Sequence, residues 1–269
     1  LVGNLDINNN LTSSAGTLTL AAEQNINQLA TTQIDGANIN ITSRSGDINQ
    51  NGTINNQSGT LTLSAAQSVD MGITGSTNSS GAVTISGGDL TLQAVTAQGD
   101  LLATSTSGGI QQANTLQSAS GNIELDSAGT ISMTSNASSI AGGDIGHVSV
   151  GDQQLAQLTA SGGSISIETG NGRIIDGNGG VMNLIADSIS IRADSGIGTT
   201  ADAIETGAQN IDIINNGTGN SVVNLNNTGN VIVHKLVNQC DTTLNNTNEL
   251  TLDHHAAGLT PGTVSLTFI

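Results

Sequence analysis

The sequence predicts an all-β fold, a right-handed parallel β-helix of about twelve triangular coils of roughly 21 residues each. Three observations predict it. A short strand word recurs at a nearly fixed spacing, two further apolar sets run in phase with it, and the 269-residue chain has no Trp, no Tyr and a single Phe, Phe268. Without aromatic rings the core has to be built from Ile, Leu, Val and Ala. That suits many thin, similar layers in which a bulky ring has no place.

The strand word is G-x-Φ-x-Φ, with Φ an aliphatic residue. It reads GTLTL at 16–20 and 59–63, GAVTI at 81–85, GNIEL at 121–125 and GGSISI at 162–167. Its first apolar positions are Leu18, Ile39, Leu61, Val83, Leu101, Ile123, Ile145, Ile165, Ile189, Ile211, Val231 and Leu250. A second set follows in phase: Ile26, Ile48, Val69, Leu90, Ile110 and Ile131, within words such as QNINQ, GDINQ and GGIQQ. A third and weaker set is Leu11, Ile34, Ile54, Val95, Leu116, Leu158, Val181 and Ile204. Alternation over three to five residues is a strand signal, and no i, i+3, i+4 stripe competes with it. Three strands and three turns per repeat describe one triangular coil, and stacking about twelve at the usual strand separation gives a rod of about 55–60 Å.

The corners are rich in Gly and Asn, which are expected there because sharp turns need positive φ. Asn, Ser and Thr at equivalent positions are expected to form side-chain ladders along the rod. An expanded coil is expected at 136–160, and more divergent, Asn-rich coils of about 19–20 residues from 214 onward. No composition break marks a second domain, so 1–269 reads as one repeat domain. The chain opens on LVGNL and closes on GTVSLTFI, both in mid-pattern. An internal fragment of a longer polypeptide is therefore expected.

Charge narrows the function classes. The net charge is -17, with Arg44, Arg173, Arg192 and Lys235 as the only Lys and Arg residues. Nucleic-acid binding needs clustered bases to neutralise phosphate, and none are clustered here. Anionic membranes are disfavoured for the same reason. No segment approaches the ~18 apolar residues of a membrane span. The one cysteine, Cys240, has no partner for an internal disulfide and reads as a small buried apolar residue.

Three segments, SGNIELDSAGTISM (120–133), SGGSISIETGNGRIID (161–176) and ADSISIRADSGIGT (186–199), resemble the filamentous haemagglutinin repeat family, the large exoproteins of two-partner secretion systems. The resemblance covers nearly the whole chain and is closest up to about residue 213. It implies a secreted rod on the bacterial cell surface, exported through an outer-membrane transporter. Adhesion, biofilm formation or contact-dependent competition would be its use, and a host or neighbouring-cell receptor or glycan its partner. Open rod ends make end-to-end self-association into a fibre an alternative.

Parallel β-helices also carry carbohydrate-active enzymes, which use paired carboxylates. The candidate pairs are Asp144 with Asp152, near His147, and Glu168 with Asp176, flanking Arg173. Acids are also expected simply as corner residues, and the stacking platforms common in sugar clefts are missing, so no enzymatic activity is expected. A bound cofactor would be calcium, a hard cation that takes several oxygen ligands. The loops DGNGG (176–180) and GGDIG (142–146) loosely resemble acidic glycine loops but match neither the RTX nonapeptide nor the EF-hand loop. They read as plain turns. In a strand, His254 and His255 beside Asp253 would point to opposite faces, unsuited to one metal ion. Asn-x-Ser/Thr sequons stand at Asn10, Asn40, Asn51, Asn56, Asn78, Asn136, Asn216, Asn226 and Asn245, as expected of so Asn-rich a chain, and the family resemblance implies glycosylation there as the alternative. The Thr17/Thr19 and Thr60/Thr62 pairs, which would suit an ice-binding face, give way to Asn38/Asn40 and Ser164/Ser166 at equivalent positions. The Φ ladders therefore carry the expected role, which is mechanical.

Overall fold

The computed structural model describes residues 2–253 and 264–268. Among them there is no helix, and the strands pair in parallel, each with the strand one coil before and one coil after it. The chain is a β-solenoid. Its first face begins in the second half of Leu11–Ala22 and ends at Leu250–Leu252, twelve strands in unbroken succession. Ile39, Leu61, Val83, Leu101, Ile123, Ile145, Ile165, Ile189 and Ile211 lie directly above one another on it. A nine-stranded second face stacks Ile26, Ile48, Val69, Leu90, Ile110 and Ile131 in the same way. All of these are buried, and Leu18, with a described neighbour on only one side, is half-buried. β-Branched and aliphatic side chains suit such columns because each presents the same flat profile to the coil above.

The third face departs from expectation at one residue. Val181 is 55% exposed, and Leu184 instead pairs with Leu158. The reason is a displaced insertion. The stretch 136–160 is regular, with Ser138 opposite Gln157 and Ile145 opposite Ile165. The extra residues lie at 177–183, between Ile174–Asp176 and Leu184–Ile185. The divergence expected after 214 takes a definite form. The second face stops as a strand at Ile174–Asp176 and continues only through Ile197, bridged to Ile174 and Val223. Val222–Asn227 and Asp241–Asn246 then run as single strands, their pairing offset shortened to 19 residues.

Glycine plays a different part from the one expected. The positive-φ residues are Gly3, Gly16, Gly179, Gly196, Gly198, Gly219 and Gly229. None lies between 17 and 178, where the coils are most regular. There glycine is required by the neighbouring coil rather than by φ. A Cβ on Gly59 would overlap the Asn38 carboxamide oxygen, and one on Gly108 would overlap the Asp89 carboxylate. Those oxygens accept the next backbone amides, Thr60 N at 3.1 Å and Gly109 N at 2.8 Å. The word Gly-x-Φ thus combines a gap for a side chain from one coil with the amide that this side chain satisfies.

Buried side chains close the corners from inside. Gln28, Gln50 and Gln112 each donate to two carbonyls at the second corner; for Gln112 these are Asn114 O at 3.0 Å and Ser138 O at 2.9 Å. Ser43, Ser105, Ser127 and Ser149 donate to turn carbonyls after the first face. On the outside, amide ladders Asp6–Asn27–Asn49, Asp35–Asn55–Asn78 and Glu205–Asn226–Asn245 each start on a carboxylate.

Candidate functional site

The corner caps account for two of the four candidate carboxylates. Along one edge, Asp100 accepts from Asn122 N, Asn122 from Asp144 N, and Asp144 from both Ser164 N (2.7 Å) and Ser164 Oγ (3.0 Å). These two bonds from Ser164, the backbone amide first, hold the Asp144 carboxyl below the usual carboxylate range. Asp152 accepts from Arg173 N at 2.9 Å. Asp144 and Asp152 lie on opposite sides of the strand Ile145–Ser149, whose five residues span roughly 17 Å. That is well beyond the ~6.5–9.5 Å of a glycosidase pair, so they do not form one. His147 does not join them. It points inward, fully buried between Leu125 and Ile167, while both acids are exposed.

The second pair is also separated. Glu168 lies on the outside of the first face, 3.5 Å from Arg192 Nε. Asp176 lies at the end of the second face, where Oδ1 accepts from Asn178 N (2.9 Å) and Asn183 Nδ2 (2.7 Å). Coil stacking gives Asp176 other companions. A groove of about 550 Å³ is lined by Asp152, Arg173, Asp176, Ser195, Thr199 and Asp202. Next to it, Glu205 is held above the usual carboxylate range, first by desolvation and then by the charges of Asp176 and Asp202. Asp176 Oδ2 and Glu205 Oε2 are both buried atoms without a hydrogen-bond partner. Asp202 and Glu205 escape sequence reading because no local word connects them to Asp176.

Neither glycine loop gathers a ligand set, and among the described residues no three His, Cys, Asp or Glu come together as metal ligands. Asp253 lies 3.2 Å from His234 Nδ1, and His234 Nε2 is 2.9 Å from Asn210 Oδ1. His254 and His255 lie outside the described residues. Cys240 is half-buried rather than buried, and its thiol reaches Gly217 O at 3.6 Å. Of the sequons, Asn56 is closed to modification, since its buried amide donates to the Ser79 hydroxyl and to the Gly59 carbonyl. An open groove of about 920 Å³ runs along one corner from Thr159 to Thr251, with Asp187 and Glu249 as its charged lining. Comparison with protein-family models, with curated proteins and with solved structures finds no match for this chain.

Proposed function

We propose that this chain is a length of extracellular rod, the shaft of a secreted adhesin of the filamentous haemagglutinin type. The observation that carries the reading is the first face, twelve strands in unbroken parallel succession. Such a ladder converts chain length into reach, and rigidity follows from continuous hydrogen bonding around a dry aliphatic column. The outer surface fits this use, being dominated by Thr, Ser and Asn with few bases. In this reading export uses an outer-membrane transporter of the two-partner type, and binding falls to a surface receptor or glycan. The purified chain, imaged by negative stain and displayed on beads against host cells and neighbouring bacteria, tests both halves. Straight rods of about 55–60 Å and bead capture by cells support the shaft. Filaments many times longer would favour end-to-end assembly. Collapsed particles would refute the rod.

A second reading, a carbohydrate-active groove, is favoured by the convergence of Asp152, Arg173, Asp176 and Asp202 on one depression beside Glu205. Incubation with plant, algal and host glycans, scored for new reducing ends or unsaturated products, tests it. Activity that disappears in Asp176→Ala would replace the first reading. No product with any glycan would eliminate the second.

A further inference from the structure

The core column on the first face reads Leu63, Ile85, Ala103, Leu125, His147, Ile167, Ile191 and Ile213 through eight successive coils. One polar ring interrupts it. His147 is fully buried, and neither Nδ1 nor Nε2 has a hydrogen-bond partner. The same coil carries a second intrusion. Gln153 takes the inward position held by Ile131 below and Ile174 above, and its Oε1 is likewise buried and unpartnered. Its Nε2 is satisfied, donating to Glu168 O at 2.8 Å and to His147 O at 3.4 Å.

No charge faces the ring. The buried residues around it are Ile123, Leu125 and Ser127 below and Ile165, Ile167 and Thr169 above. Across the core they are Ile131, Met133, Leu155 and Ile174 from the second face and Ser139, Ala141, Leu158 and Ala160 from the third. None of these titrates, and His147 is the only ionisable side chain among the buried described residues apart from what hydroxyls and amides supply as dipoles. Glu124, Asp126, Asp144, Asp152, Glu168 and Arg173 on these coils are all exposed. A protonated ring here would be an uncompensated charge in a dry column.

We propose that the coil 145–164 is an acid-labile joint, in which protonation of His147 opens this one coil while the ladders on either side persist. Burial pushes the folded-state pKa of His147 down to about 3, from an ordinary 6.5. Between those values the opened coil binds a proton that the closed coil does not, so closure weakens as pH falls through that window. The shift amounts to about tenfold in the open-to-closed ratio per pH unit. Locality follows from the architecture, because each coil contacts only its two neighbours. The cap on Asp144 acts in a separate window. Its lowered pKa stabilises the fold above the ordinary 3.8 and loses effect only below it.

Hydrogen–deuterium exchange on the whole chain, corrected for intrinsic rates, tests the joint between about pH 6.5 and pH 4. Amides of 145–164 should lose protection by about tenfold per pH unit, while those of Leu61–Ala65 and Val83–Gly87 stay constant. His147→Leu, which matches its column neighbours, should abolish the dependence and leave the coil protected throughout. Equal pH dependence in both proteins, or none in the wild type, overturns the proposal. So does an NMR titration in which the His147 ring protonates near pH 6.5 with its coil still protected.

Discussion

The coils before residue 177 and those after 203 solve one problem in two ways. In the earlier coils three faces meet at three corners, and buried Gln and Ser side chains satisfy the turn carbonyls. In the later coils the second and third faces fuse, and buried asparagines take over. Asn215 donates to Asn238 Oδ1 at 2.8 Å, and Asn227 to Asn246 Oδ1 at 2.9 Å. Asn238 in turn donates to Cys240 O, Asp241 O and Thr242 Oγ1. Between 17 and 178 no glycine has positive φ and many make room for a neighbouring side chain, whereas beyond that stretch Gly179, Gly196, Gly198, Gly219 and Gly229 adopt positive φ. A solenoid can therefore lose one face while the ladder on another continues, here with one register shift between Ile211 and Asp212, provided every buried carbonyl still finds a donor.

The strongest way to break the earlier coils is Ile123→Asp, which buries a carboxylate in the first-face column. It should cost about 4 kcal/mol or more in chemical denaturation. Ile232→Asp, at an outward position of the later coils, should cost under about 0.5 kcal/mol. Equal melting temperatures for wild type and Ile123→Asp would mean that this residue is not in the core.

The two corner chemistries can be compared next. Gln112→Leu strands two carbonyls and Asn238→Leu three acceptors, so losses of about 2 and 2–3 kcal/mol are expected by the same assay. Glycine offers a sharper contrast. Gly108→Ala should cost about 1–3 kcal/mol by overlap with Asp89, and Asp89→Ser should relieve part of it. Gly219→Ala meets no atom within 4 Å but has φ +72°, so it should cost about 1–2 kcal/mol that no neighbouring substitution relieves. Additive behaviour in the Gly108/Asp89 pair would remove the distinction.

The smallest expected effect is at Glu205. Its raised pKa means that the folded form holds a proton which the unfolded chain has released above about 4.5, so stability falls as pH rises through that window. Glu205→Gln should stabilise the protein at neutral pH and flatten this part of the profile. An unchanged pH profile would show that the carboxylate is solvated in solution.

The β-solenoid and its two main columns are legible in the sequence because strand periodicity is local. Once Ile145 is placed inward, position 147 must face inward too, so the burial of His147 was readable from GHVSV. Its pairing with Asp144 and Asp152 as a site overlooked that alternation. Val181 was misassigned because a loop of unknown length shifts the phase, and only Leu158 opposite Leu184 restores it.

Sequence alone determined the parallel stacking, the coil length and the first-face column through Ile211 and the second-face column through Ile131, since these depend on a period of two within each strand and on a repeat between strands. Only the tertiary structure decided what the polar residues do. Asp144 caps Ser164, Gly108 clears Asp89, and Asp176 meets Asp202 and Glu205 across about one coil of chain. Each relation joins residues roughly twenty to thirty positions apart, and its partner is set by the register of stacked coils, which no local pattern encodes.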